Sequence, residues 1–142
     1  MAKVLGIPKF REIIAKAYER QLLSEIRAHQ KVPKHVGIIL DGNRRFARGR
    51  GLPPMAGHLQ GARKLEEVLD WCRELGIKHV TVYAFSTENF RRSQEEVKAL
   101  MNLFVDKFKR VTQDDRVHRH KIKIRAIGDL SKLPENVRKA AE

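Results

Sequence analysis

The chain has 142 residues, 42% of them hydrophobic, and 30 Lys and Arg against 17 Asp and Glu give it a formal net charge of +13. That length allows one domain with a real core, while no apolar run approaches the roughly 20 residues of a membrane span. The single cysteine, Cys72, excludes an internal disulfide and fits a reducing compartment.

The positive charge is unevenly placed. Residues 1–35 hold 8 basic and 3 acidic groups and residues 36–63 hold 5 and 1, whereas beyond Arg63 there are 17 basic and 13 acidic groups. The last mixture is ordinary solvated surface; the first two segments point to an anionic partner. The N-terminus, MAKVLGIPKF, lacks the apolar stretch of a signal peptide, so a cytoplasmic protein is expected. Cys72 follows Trp71 inside a helical pattern and reads as a small buried hydrophobe.

Pro8 is placed to open a helix. Phe10, Ile13, Ile14, Ala17, Tyr18, Leu22 and Ile26 recur at helical spacing to about His29. Lys9, Arg11, Lys16, Arg20 and Arg27 occupy the other face, which makes an amphipathic basic helix. It docks on its own domain or, in the alternative, makes peripheral contact with a membrane or a partner helix. Residues 1–33 are thus set apart from a domain over 34–142. Val36–Leu40 is a continuous apolar run, expected as a parallel strand buried on both faces. The loop GRGLPP at Gly49–Pro54 follows. A second helix is expected from about Met55 to Leu75, stopped by Gly76, with Gly57, Gly61, Ala56 and Ala62 keeping one face slim against Val36, Ile38, Val82 and Ala84 of the sheet. Val80–Phe85 reads as the second strand. Ser93 caps a third helix, and Glu96 three residues on completes a capping box. Lys121–Ile127 reads as a third strand, and Pro134 opens a last helix. This order predicts an α/β fold, a central parallel β-sheet flanked by helices, incomplete within this chain.

Asp41 ends the first strand, at the edge where open α/β sheets bind ligands. A carboxylate among Arg44, Arg45, Arg48 and Arg50 suits Mg²⁺ held against phosphate oxygens. Gly42 permits a tight turn, and Arg44 or Arg45 can fork two phosphate oxygens. In the simpler alternative Asp41 caps a short helix, which leaves the arginines unexplained. A second polar set, Ser86 to Arg92, follows the second strand and is expected beside the first; Ser86 and Asn89 offer neutral hydrogen bonds and Arg92 a cation. His58, near the start of the second helix, is placed to accept or relay a proton, or is structural. His118 and His120 read as solvated loop residues. No zinc-site spacing, P-loop or GxGxxG fingerprint is present.

HVGIILDGNRRFAR from His35, AGH at Ala56–His58, VTVYAFSTENFRRSQEEV at Val80–Val97 and IRAIGD at Ile124–Asp129 resemble the cis-prenyltransferases, the family of undecaprenyl and dehydrodolichyl diphosphate synthases. The resemblance covers roughly residues 35–142, and its NRR, TENFRR and WCRELGI spellings are similar to the archaeal and eukaryotic branch. It implies an enzyme that condenses isopentenyl diphosphate in cis onto an allylic diphosphate primer, farnesyl or geranylgeranyl diphosphate. The product is a long polyprenyl diphosphate, the precursor of a glycosyl-carrier lipid. It further implies Mg²⁺ as cofactor and a homodimer when the protein is full length.

Residue by residue, Asp41 resembles the catalytic aspartate that holds Mg²⁺ and diphosphate. Gly42, Asn43 and Arg45 resemble the loop around the allylic diphosphate, with Arg44 and Phe46 also on the substrate side. His58 resembles a histidine tied to diphosphate handling and proton transfer. Ser86 and Asn89 resemble the polar pair near the reacting centre, Asn89 acting in proton removal alongside Asp41; Thr87, Glu88 and Arg91 join the substrate-binding set. Arg92 resembles a diphosphate-side arginine, and Glu96 a glutamate of the segment that closes over the substrate. Pro54 stands where bacterial relatives often have arginine, for which Arg48 or Arg50 is the candidate substitute. The family domain continues past Glu142, so these residues alone are expected to be inactive, with an exposed sheet edge that invites aggregation. Two other readings are a basic nucleic-acid-binding domain and a non-catalytic partner subunit. The first lacks any known nucleic-acid module, so no nucleic acid is expected; Asp41 and Asn89 speak against the second.

Overall fold

Pro8 stands in the first turn of helix α1, Ile7–His29. The computed structural model describes residues 7–29 and 32–142, with side chains over 12–28 and from Val32 onward. The expectations for residues 1–6 and for the side chains of Lys9, Phe10 and Arg11 lie outside the described residues. Two compact units divide the chain: one runs to Ile39 and resumes over Lys64–Tyr83, and the other is Leu40–Arg63 with Ala84–Glu142.

The first unit holds the sheet. Strands β1 (His35–Ile39) and β2 (His79–Tyr83) pair in parallel, in register from His35 opposite His79 to Ile39 opposite Tyr83. The parallel α/β expectation is borne out, but burial on both faces is not. Exposure alternates along both strands, and Ile39 is 73% and Tyr83 58% exposed. Successive side chains of a strand point to opposite faces, and here only the face of Val36, Ile38, Val80 and Val82 is half covered. On α1, Arg27 donates from Nη2 to the carbonyl oxygen of Glu74 at 3.0 Å, while Ile13, Ile14 and Tyr18 are more than half exposed. Cys72, in the last part of α3 (Pro54–Glu74), is buried as expected, and burial pushes its thiol up.

The second unit is helical: α2 (Asn43–Arg48), the first turns of α3, a 3-10 turn over Thr87–Arg91, α4 (Gln94–Thr112), α5 (Asp115–Arg119), a 3-10 turn over Leu130–Lys132, and α6 (Glu135–Ala141). Leu100 and Met101 of α4 and Val137 of α6 are its buried apolar residues, together with Ala47 of α2. Phe85 meets Phe90 and Phe104 edge to face, at centroid distances of 4.9 and 5.9 Å, the arrangement that aligns ring edge with ring face.

The expected third strand, Lys121–Ile127, does not form. A strand exists through its ladder of hydrogen bonds, and among the described residues this segment has no ladder partner. Its Ile122, Ile124 and Ile127 are 44, 48 and 84% exposed. Alternation supplied the apolar spacing without a neighbour to satisfy the backbone. Among the described residues no helix is long and apolar enough to cross a membrane.

Candidate active site

Asp41 lies two residues past the end of β1 in the chain, where Gly42 turns the backbone with φ of 86°. That left-handed conformation is strained for any residue carrying a Cβ. Gly42, not Asp41, is the N-cap of α2, and no side chain caps the helix, which removes the capping alternative for Asp41. Instead Asp41 Oδ1 accepts from the Gly42 N–H at 2.6 Å, and Oδ2 accepts from Arg45 Nη2 at 3.0 Å. Both side chains are 76% exposed. An exposed ion pair four residues apart in the chain contributes about 0.3–0.5 kcal/mol, so this carboxylate is loosely held.

Helix α2 is seated on the start of α3 through two glycines. A Cβ at Gly57 would overlap the Asn43 carbonyl and crowd Ala47, and one at Gly61 would overlap the Asn43 side-chain amide. Gly57 and Gly61 of the slim face of α3 therefore receive α2. Close backbone approach is what the missing Cβ permits.

Around this turn lies a cavity of about 210 Å³, lined by Leu40, Asp41, Gly42, Asn43, Arg44, Arg45, Arg48, His58 and Arg92, all of the second unit. One carboxylate and four guanidinium groups share its wall. Drug-sized ligands occupy pockets of about 300–1,000 Å³; this one has the scale of an anionic headgroup. A larger, more apolar groove of about 400 Å³ runs along α4 and the start of α6, past Phe90, Val97, Met101 and Pro134, and shares only Arg92 with the polar cavity.

Behind the polar cavity sits Glu96, the third residue of α4. Ser93 caps α4, its hydroxyl accepting from the Glu96 N–H at 3.3 Å. The carboxylate half of the expected capping box is directed elsewhere. Glu96 Oε1 lies 3.1 Å from His58 Nε2 and accepts from Arg92 Nη1 at 3.2 Å, and Oε2 lies 3.5 Å from Arg44 Nε. His58 and Glu96 are both buried, with relative exposures of 8% and 9%. Burying a carboxylate is costly unless it is paired and hydrogen-bonded, and here three partners meet it.

The structure thus brings Asp41, Gly42, Asn43, Arg44, Arg45, His58 and Arg92 into one cavity, with Glu96 behind it. Ser86, Thr87, Glu88, Asn89 and Arg91 stand on the 3-10 turn that leads to Arg92 and do not line the cavity. Asn89 Oδ1 accepts from the Ser86 N–H at 3.1 Å. A backbone N–H only donates, so this contact fixes the amide's orientation and turns its NH₂ away from Ser86. Phe46 lies under the Arg50 guanidinium, 4.2 Å from the ring centroid. Of the two candidates for the arginine absent at Pro54, then, Arg48 reaches the cavity and Arg50 stacks on Phe46. Arg48 was readable in the sequence as the residue four after Arg44, on the same face of a helix. Leu40 carried no signal.

The family described as putative undecaprenyl diphosphate synthase matches residues 39–142. The chain belongs to this family. Among its relatives, a tritrans,polycis-undecaprenyl-diphosphate synthase (geranylgeranyl-diphosphate specific) of Thermococcus kodakarensis is 61% identical over 126 residues, covering 89% of this chain and 47% of its own. The synthase of the same name from Thermoplasma volcanium is 52% identical over 130 residues, covering 92% and 50%. The archaeal leaning of the motif spellings is borne out. Lavandulyl diphosphate synthase from Lavandula x intermedia, solved in complex with dimethylallyl diphosphate, superposes with a TM-score of 0.66 at 35% identity, over 77% of this chain and 46% of its own. The chain spans about half the length of the curated relatives it matches.

Among the described residues no group of three or more His, Cys, Asp or Glu is arranged to hold a metal ion. Asp41 alone, facing an arginine-lined cavity, fits Mg²⁺ in the way that cation is commonly bound. One or two carboxylates hold it, and substrate phosphate oxygens and waters complete the octahedron.

Proposed function

We propose that this chain carries the allylic-diphosphate half of a cis-prenyl transfer site. In the whole protein, isopentenyl diphosphate is condensed onto an allylic diphosphate to give a long polyprenyl diphosphate. The observation that carries the reading is the cavity shared by Asp41, Arg44, Arg45, Arg48, His58 and Arg92. Its charge suits a diphosphate and its size suits the headgroup. The names of the archaeal relatives favour geranylgeranyl diphosphate as primer.

Arg44, Arg48 and Arg92 line the cavity, where they would meet the negative charge that grows as the diphosphate departs, the placement that lowers a barrier most effectively. Asp41 would hold Mg²⁺, and the cation would supply charge neutralisation on the diphosphate oxygens. Gly42 and Asn43 shape the turn around the headgroup, and His58 serves diphosphate handling. Ser86 and Asn89, with Thr87, Glu88, Phe46 and Arg91 around them, belong to the substrate side of the same reading, Asn89 working with Asp41 in proton removal. The whole protein is further proposed to be a cytoplasmic homodimer with peripheral membrane contact, for which the exposed apolar positions of α1 are the support.

The native gene product, supplied with labelled isopentenyl diphosphate, geranylgeranyl diphosphate and Mg²⁺, is expected to form long polyprenyl products. In Asp41→Ala the rate is expected to fall by about 100-fold or more, while stability changes by less than about 0.5 kcal/mol because the Asp41–Arg45 pair is exposed. Undiminished product from the folded variant removes Asp41 from the mechanism. No product from the wild type with any allylic primer removes the function.

A further inference from the structure

We propose that Glu96 is a positioning residue of this site rather than a ligand of the substrate, an inference that rests on the diphosphate reading above. Its three side-chain partners, Arg44, His58 and Arg92, all line the polar cavity, whereas Glu96 does not. Its side chain is 7% exposed; those of Arg44 and Arg92 are 50% and 22% exposed. Exposure therefore rises from a buried anion outward to the cations that face the ligand. Glu96 is in turn fixed from behind, because the Ser93 cap holds its backbone N–H.

This arrangement makes two things happen at the cavity wall. The carboxylate anchors one edge of Arg44 and Arg92, so their remaining N–H donors are presented to an anion without first losing side-chain freedom; such preorganisation is what makes fixed donors effective in a transition state. It also sets the face of His58. An ionised carboxylate only accepts hydrogen bonds, so the contact at 3.1 Å requires the proton on Nε2, and the neutral ring then has its acceptor at Nδ1. Thr, Ser or a neutral amide at position 96 would not satisfy two arginines and a histidine together.

Glu96 also places a negative charge close to the diphosphate site. Removing that charge cannot weaken the long-range attraction for an anion, whereas removing a positioning contact must harm the geometry of transfer. Affinity and turnover therefore separate, which a purely structural role would not produce.

The experiment compares the full native protein with Glu96→Gln. Calorimetric titration with inorganic diphosphate and Mg²⁺ is expected to give an affinity equal to wild type within about threefold, or tighter. The kcat for prenyl transfer is expected to fall about 100-fold, as a displacement near 1 Å can cause. Long-range ¹⁵N–¹H spectra of the ¹⁵N-histidine protein, at a pH where the ring is neutral, should show His58 as the Nε2–H tautomer in wild type and as a mixture in the variant. A fall of about tenfold or more in diphosphate affinity with kcat intact makes Glu96 a substrate ligand and overturns the proposal. So does a lower melting temperature with both constants unchanged per folded molecule. A wild-type His58 in the Nδ1–H tautomer overturns it without any variant, should Glu96→Gln not fold. If the wild type transfers no prenyl group at all, the proposed function fails, and the diphosphate titration and the tautomer still decide the role of Glu96.

Discussion

Replacing Gly57 with alanine tests the seating of α2 directly, because two effects of known size oppose each other. In a bare helix, alanine is favoured over glycine by about 1 kcal/mol. At Gly57 the new Cβ would overlap the carbonyl of Asn43 and press on the Ala47 methyl group, which is itself almost fully buried. Those are backbone and core atoms, so relief requires α2 to move as a body, and overpacking of this kind costs about 1–3 kcal/mol or more. A backbone overlap this deep puts the cost at the upper end, about 3 kcal/mol, so the net expectation is a loss of about 2 kcal/mol, or about 4–8 °C in melting temperature. Gly61→Ala is the internal control. Its Cβ meets only the Asn43 side-chain amide, which can rotate away, so helix propensity and displacement nearly cancel and the melting temperature stays within about 3 °C. Thermal unfolding followed by circular dichroism measures both. Because α2 carries Arg44, Arg45 and Arg48, Gly57→Ala should also weaken diphosphate binding by more than Gly61→Ala does. A rise in melting temperature for Gly57→Ala, as bare propensity predicts, refutes the seating.

Two further expectations follow from local chemistry. The Arg116 guanidinium and backbone N–H hold Asp114, the N-cap of α5, well below the usual carboxylate range, at a pKa of about 2. A depressed carboxylate contributes stability that is fully present above its unfolded pKa and is lost as pH falls through the folded one. Local order around α5, read by amide exchange, should therefore be constant above about pH 5 and decline towards pH 2, and Asp114→Asn should abolish that dependence; an unchanged acid profile in the variant would exclude the cap as its source. Burial raises the Cys72 thiol, so its reaction with an aromatic disulfide reagent at neutral pH should be slow in the native protein and accelerate on unfolding in urea. Native labelling as fast as that of free cysteine would place Cys72 outside the packed part of its unit.

What the sequence disclosed was the part of the fold written in local grammar. Ser93 announces α4, Gly76 follows the end of α3, and the apolar runs of β1 and β2 lie within two residues of their observed limits, because caps, breakers and periodicity act within a few residues. Helix α2 was legible only as the short helix of an alternative reading of Asp41, since NRRFAR has no apolar stripe and its seat is made by glycines about fourteen residues later. Lys121–Ile127 shows the converse, a strand-like alternation without a neighbouring ladder. The cavity was legible where charge contrast marks it, in Asp41 among arginines, and in the resemblance carried by DGN, whereas the STEN residues do not line it. Glu96 was legible as the third residue of a capped helix, and that grammar misdirected its carboxylate. The partner that claims it, His58, is 38 residues away in the chain, and a buried pairing outweighs a half-exposed cap.

The same contrast in burial gives the cavity a yielding side and a fixed side. Asp41 and Arg45 pair in the open, and separating them costs less than about 1 kcal/mol, so under the proposed function an incoming diphosphate would take Arg45 while Asp41 turned to a cation. Behind the cavity the Glu96 contacts are more shielded, and leaving a buried carboxylate short of its partners is costly. Binding should therefore reorganise the Asp41–Arg45 pair and leave the His58–Glu96–Arg92 cluster in place. Hydrogen exchange with and without diphosphate and Mg²⁺ would separate the two walls. Protection changes at Gly42–Arg45, together with unchanged protection at His58 and Glu96, fit this division of labour; the reverse pattern would assign the moving part to α4.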